Sequence, residues 1–272
     1  MQSQCQTPFV PENVVGITPS YAGRTDEGRE RSSNDDRWGA QPTQCLYIVA
    51  DGVATANNGG LAAEMVVDLL PKYVPHDLAL GDLTAPEAAA RFRQAVGQLS
   101  DDLHAQGRND PRIAASGTTV VAAVVTASQA LIAHLGDSRA YLYRDGQVHR
   151  LTRDHSIVQA LVDAGEVTAE EARRHPSRSV LTRHVLMTPP AQPDVKALNL
   201  QSGDRILLCS DGLHGVVDDV NLAAILTAHP QPADAVDALI AAANDAGGPD
   251  NITVLVVDPC VGPPPRHAAP DF

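Results

Sequence analysis

Four short acidic motifs lie far apart in this chain. They are Arg31-Ser32-Ser33-Asn34-Asp35-Asp36, Ala50-Asp51-Gly52, Ser210-Asp211-Gly212 and Gly248-Pro249-Asp250-Asn251. Three of the four adjoin runs of apolar, β-prone residues. A strand that ends in Asp-Gly holds a carboxylate rigidly at a sheet edge, and the glycine lets other groups come close. One such dipeptide is a turn. Several, with further acids beside strands, point to carboxylates from distant parts of the chain gathered around hard divalent cations.

The bulk composition allows this. The chain has 272 residues, of which 43% are hydrophobic. That is enough for one large core or two small ones. With three Phe and one Trp, the core must rest on Ala, Val, Leu and Ile. The net charge of −13 argues against a general affinity for nucleic acid or anionic membrane. No apolar run approaches the roughly 20 residues needed to span a bilayer. The first residues, Met1 to Gln6, show no basic segment followed by an apolar one, so no secretory signal is expected. Cys5, Cys45, Cys209 and Cys260 form no C-x-x-C pair, which gives no hint of a structural zinc or a dithiol site. Small buried thiols suit a reducing compartment, and a cytoplasmic monomer is the expectation.

Strand and helix signals alternate along the chain. Leu46–Ala50 reads as a strand ending at Asp51. Gly59–Leu70 reads as a helix stopped by Pro71, and Pro86–His104 as a second, with proline suited to its first turn. Strands are expected over Thr118–Thr126, Ala130–Leu135, Arg139–Tyr143 and Gln147–Arg150, the last two joined by an Asp145-Gly146 hairpin turn. Helical stretches follow at Ile157–Ala164 and Ala169–Arg174. Val195–Leu200 and Arg205–Cys209 read as a hairpin turning at Ser202-Gly203-Asp204. Two helices, Val220–Ala228 and Ala233–Asn244, precede a last buried strand, Ile252–Val257. Antiparallel runs with helices in pairs between them imply an α+β layered sandwich rather than a doubly wound parallel sheet. A proline-rich tail, 259–272, is expected to be flexible.

The ordered motifs resemble those of the metal-dependent protein serine/threonine phosphatases of type 2C, in their bacterial branch. To the four acidic motifs the resemblance adds Ser116-Gly117-Thr118-Thr119, Gly136-Asp137-Ser138-Arg139, a flap-like segment from Asp154-His155-Ser156 to about His184, and Leu213 after Asp211-Gly212. It runs from about Asn13 to Asp258, so a catalytic domain over 1–258 is implied. Each motif alone reads as a turn, a cap or a solvated charge; independent turns do not reproduce the ordered set.

The resemblance implies a four-layer α-β-β-α sandwich, two antiparallel sheets flanked by helices, with metals in a cleft at one end. Asp36 and Asp51 match acids around a pair of Mn²⁺ or Mg²⁺ ions, Asp51 bridging, and Gly52 offers its backbone carbonyl. Asp211 and Asp250 match the acids on the other metal. Asp137 is linked to a possible third ion, with Asp211 nearby. Arg31 matches the guanidinium that holds the substrate phosphate, and Asp35 and Asn251 match supporting positions. The implied reaction is hydrolysis of phosphoserine and phosphothreonine in proteins by a water held between the ions, opposing a bacterial Ser/Thr kinase. Such oxygen-only sites suit both cations, and an arginine grips phosphate bidentately where a lysine does not.

The chain departs from the family at one loop. Bacterial relatives continue Met-Gly-Gly-His after Asp-Gly, whereas this chain has Val53-Ala54-Thr55-Ala56. The departure removes a candidate histidine, so no side chain is named as general acid. It also keeps open a second reading, a weakened phosphatase that binds phosphoproteins or a regulatory partner. The histidines show no zinc motif; His134, His155 and His175 read as structural or exposed. The flap arginines Arg173, Arg174, Arg178 and Arg183 read either as contacts to a phosphorylated partner or as solvated charges.

Overall fold

The computed structural model describes residues 19–54 and 59–259. In chain order the strands are β1 (Ser20–Asp26), β2 (Arg37–Gln41), β3 (Leu46–Ala50), β4 (Gly52–Ala54), β5 (Ser116–Thr118), β6 (Val120–Val125), β7 (Gln129–Leu135), β8 (Arg139–Arg144), β9 (Gln147–Arg150), β10 (Asp194–Asn199), β11 (Arg205–Cys209) and β12 (Ile252–Asp258). The helices are α1 (Gly59–Tyr73), α2 (Pro86–Gly107), α3 (Pro111–Ala114), α4 (Ile157–Asp163), α5 (Ala169–Arg173), α6 (Asp211–His214), α7 (Asp219–Ala228) and α8 (Pro232–Asp245).

Two five-stranded antiparallel sheets pack face to face, ordered β1-β12-β11-β8-β9 and β10-β7-β6-β3-β2, with a small β4-β5 ribbon beside them. Side-chain alternation sorts the buried residues into three layers. On β3, Tyr47 and Val49 face the middle of the sandwich with Val121, Ala123, Leu208 and Leu255. Leu46, Ile48 and Ala50 face the other way, onto α1 and α2 through Val66, Leu70, Phe92 and Leu99. On the far side Leu207, Cys209, Val254 and Val256 pack on α7 and α8 through Leu222, Leu226, Val236 and Leu239. The order is helix, sheet, sheet, helix, as expected.

Three local expectations change. Pro71 lies inside α1, which runs on to Tyr73. A proline in the final turn costs one helical hydrogen bond, and the chain closes the turn with Val74 N–H on the Leu70 carbonyl, 3.0 Å. The run Thr118–Thr126 is two strands, β5 and β6, broken at Thr119. There the amide donates to the Asp51 carbonyl at 2.8 Å instead of extending one ladder. The segments around Ser202-Gly203-Asp204 are not a hairpin: β10 pairs with β7 in one sheet, and β11 pairs with β8 and β12 in the other. The turn changes sheets. Asp145 and Gly146, by contrast, both adopt positive φ (51° and 77°) in the β8–β9 hairpin, as a tight primed turn requires. Thr55, Ala56 and the tail from 260 lie outside the described residues.

Candidate metal centre

Register carries the acids to one end of the sandwich. β2 and β3 pair with Arg37 opposite Ala50, so Asp36 and Asp51 follow on directly opposed strand ends. On the other sheet β11 and β12 pair with Cys209 opposite Val254. Ser210 N–H then donates to the Thr253 carbonyl at 3.1 Å, which sets Asp211 beside the segment Asp250–Ile252. The β7–β8 connection adds Asp137.

Two glycines permit this closeness. A Cβ on Gly52 would lie 2.4 Å from the Gly59 carbonyl carbon and 2.7 Å from the Asp35 carbonyl oxygen. One on Gly212 would lie 2.0 Å from the Asn251 carbonyl oxygen. No side chain fits either place.

Each acid is held. The Ser210 hydroxyl donates to Asp36 Oδ2 at 2.6 Å and accepts from Thr253 N–H at 3.0 Å, tying the two sheets together. Asn34 accepts the Asp36 amide at 3.0 Å. The Thr119 hydroxyl accepts the Asp51 amide at 3.1 Å and shares a 2.6 Å hydrogen bond with Ser138. Arg31 reaches Asp250 Oδ2 at 2.7 Å. Asn251 accepts the Asp35 amide at 2.9 Å and donates to the carbonyls of Glu27 and Ser33. His214 meets the Asp137 carbonyl oxygen at 2.9 Å. Burial pushes its pKa down to about 3, so the ring is neutral and this nitrogen is the donor.

The carboxylates form a close group of like charges. Asp51 sits within hydrogen-bonding reach of both Asp36 and Asp211. Burial raises the Asp51 pKa, and Asp36, Asp211, Asp137 and Asp250 push it further the same way. Asp36 is pushed up to about 7, by burial first, against the opposing Ser210 hydrogen bond. Asp211 is pushed up to about 6, by burial and then by Asp250. Asp137 rises through burial and then Asp211. Desolvated carboxylates that repel each other are relieved by bound cations. The donors are all oxygens, which fits Mg²⁺ or Mn²⁺ and not a sulfur- or imidazole-seeking metal.

A histidine cluster of a different kind lies nearby. His134, His155 and Asp194 offer atoms within 4.8 Å of one another. These groups are already engaged. His155 Nδ1 accepts from the Gly136 amide at 3.1 Å, its Nε2 faces Asp194 at 3.2 Å, and the ring stacks on His134 at 4.5 Å. His134 Nε2 meets the Arg153 carbonyl at 2.9 Å, and Arg183 pairs with Asp194 at 2.9 Å. The cluster fastens the start of the flap to the sheet edge. Reading the histidines one at a time left this network unseen, as it did the parts of Ser210 and Thr119. Both of those stand inside motifs that carry the acids or adjoin them, Ser210-Asp211-Gly212 and Ser116-Gly117-Thr118-Thr119.

The protein phosphatase 2C family model matches residues 25–247. The chain belongs to the protein phosphatase 2C family. It is 36% identical over 238 residues to the serine/threonine phosphatase stp of Listeria monocytogenes, covering 86% of this chain and 94% of that one. Among solved structures it is similar to the Mycobacterium tuberculosis serine/threonine phosphatase PstP/Ppp, with TM-score 0.79, 36% identity and 89% and 99% of the two chains covered. It is also similar to a PstP catalytic domain in complex with two manganese ions, with TM-score 0.76, 33% identity and 89% and 98% covered. The two antiparallel sheets with flanking helices are the architecture of this family.

Proposed function

We propose that this 2C-family serine/threonine phosphatase works with two divalent cations, Mn²⁺ or Mg²⁺, held by Asp36, Asp51, Gly52, Asp211 and Asp250. Asp137 and Asp211 would hold a third. The observation that carries this is the convergence from both sheets of mutually repelling carboxylates, buried at Asp36 and half-buried at Asp51, Asp211 and Asp250; the manganese-bearing relative supports it. When bound, such cations acidify water toward neutral pH and offset the charge of a phosphate dianion.

The protein's own groups supply the rest. Arg31 stands at the mouth with its side chain 55% exposed. One of its donors meets Asp250, and the others are free to grip phosphate oxygens. Ser210, Thr119 and Asn251 fix the acids so that little rearrangement accompanies binding. The substrates are phosphoserine and phosphothreonine proteins, so the reaction that must supply them is that of a Ser/Thr kinase. Among the described residues no helix is long and apolar enough to cross a membrane, which is compatible with a cytoplasmic monomer.

The test is turnover of p-nitrophenyl phosphate and a phosphothreonine peptide with Mn²⁺, with and without chelator. Activity is expected only with the cation. Asp211→Asn, nearly identical in shape, is expected to abolish it. Unchanged turnover in that variant would reject the site. Phosphopeptide binding without any hydrolysis would favour the binding-module reading left open by Val53 and Ala54.

A further inference from the structure

A cavity of about 410 Å³ opens between the body of the sandwich and the flap, and Asp137 and Asp211 line it as well as the metal centre. Arginines line it from both sides: Arg139 and Arg150 from the strands, Arg173 and Arg178 from the flap. Two further acids on its wall, Asp154 and Asp219, are not among the proposed cation ligands. Asp154 is already spent on two partners: Arg139 holds it bidentately, at 3.0 and 2.7 Å, and Arg150 pairs with its Oδ1 as well. Among the described residues the buried Nε of Arg150 has no hydrogen-bond acceptor.

The flap arginines divide into two kinds. Arg183 is tied to Asp194 and to the Gln192 carbonyl, and Arg174 pairs with Glu170. Arg173 and Arg178 are exposed and face this cavity, with no ion pair for either among the described residues. In a chain of net charge −13, four arginines face this hollow against the acids Asp137, Asp154, Asp211 and Asp219, so cations at Asp137 and Asp211 would leave it net positive.

We infer that this cavity receives a second anionic side chain of the substrate, a carboxylate or a further phosphate. It would stand one to three residues from the phosphorylated residue being hydrolysed. The inference rests on the proposed cation centre, because occupied Asp137 and Asp211 no longer repel an anion there. A hollow of this volume is roughly 7 Å across, the span of about two extended residues. A chain whose phosphate sits at the metal acids therefore delivers a neighbouring side chain to the arginines. Planar guanidinium groups suit both carboxylate and phosphate oxygens.

The experiment compares three phosphothreonine peptides that differ at the flanking positions, carrying alanine, glutamate or a non-hydrolysable phosphoserine analogue. With Mn²⁺, kcat/KM on the acidic peptides is expected to exceed that on the alanine peptide by about tenfold, mostly through KM. The glutamate and phosphonate arms separate the two ligand sources. In Arg173→Ala/Arg178→Ala the ratio is expected to fall to near one; because the ratio is taken within one variant, a general loss of activity cancels. Equal kcat/KM on all three peptides, or a ratio unchanged in the double variant, would overturn the inference. Absence of both turnover and Mn²⁺ binding would instead sink the cation centre; where Mn²⁺ binds without turnover, fluorescence anisotropy of the same peptides with Mn²⁺ reads the preference, and equal affinities overturn the inference.

Discussion

Gly212 shows how a single hydrogen atom sets the spacing of two carboxylates. Its Cα faces the Asn251 carbonyl so closely that a methyl group there would lie 2.0 Å from the oxygen. Gly212→Ala must push the start of α6 away from the Asp250–Asn251 turn, separating Asp211 from Asp250. Forced overpacking of this kind costs about 1–3 kcal/mol. The variant is expected to show a lower Tm and to lose most of its activity; wild-type values of both would refute the packing argument. This glycine was legible in the sequence, since Asp-Gly at a strand end announces a close approach. What it approaches was not, because Asn251 is distant in the chain. His155 carries a second prediction at this scale. Burial, then neighbouring His134, pushes its pKa down to about 4, below the ordinary histidine value near 6.5. The unfolded chain therefore binds more protons between those limits, and stability falls as pH drops from about 6.5 to 4. His155→Gln removes that titration. Its stability against pH, from urea unfolding, is expected to be flatter across this window by up to one proton. An identical slope would show that His155 titrates alike in the folded and unfolded chain.

Elements differ in how openly the sequence declares them. β3, β6 and β12 are apolar at nearly every position because both faces are covered, one by the other sheet and one by helices. Such runs are hard to miss. β1, Ser-Tyr-Ala-Gly-Arg-Thr-Asp, sits at a sheet edge, is half exposed and carries no apolar alternation, so it left no signal. The β10–β11 connection was misread for another reason: turn chemistry shows that a chain reverses, not which sheet receives the next strand. Arg205 at the start of β11 helps fix that choice. Its buried guanidinium donates to Asp258 of β12 at 2.7 Å and to the carbonyls of Leu226 and His229 at the end of α7. Arg205→Ala would leave a carboxylate and two carbonyls without their donor. A broken buried pair costs about 3–5 kcal/mol, so a large drop in the denaturation midpoint is expected. Lysine, which cannot reach all three partners from one planar group, is expected to rescue little. An unfolding free energy within about 0.5 kcal/mol of wild type would show that strand pairing alone holds β11 in place.

Across the whole molecule the acids come from different layers and meet only in the finished sandwich. Asp36 and Asp51 extend one sheet, Asp211 and Asp250 flank strands of the other, and the Ser210–Asp36 hydrogen bond crosses between them. The unfolded chain has no such site, so a cation that binds there must stabilise the fold by its binding free energy. At a concentration one hundred times the dissociation constant that amounts to about 2.7 kcal/mol per site. The same reasoning separates the acids. Asp51, within reach of both Asp36 and Asp211, is placed to serve both halves of the proposed centre, and Asp51→Asn would remove one charge from each. It also relieves the repulsion among its neighbours, so the cation-free variant is expected to be at least as stable as the cation-free wild type. With Mn²⁺ the order reverses: wild-type Tm climbs with concentration while that of Asp51→Asn stays nearly flat. Calorimetry in chelator and across a Mn²⁺ series checks both halves. Equal Mn²⁺ stabilisation of the two proteins would mean that the cation binds elsewhere on this acidic surface. A less stable Asp51→Asn in chelator would mean that the carboxylates do not strain the fold in the way their shared burial demands.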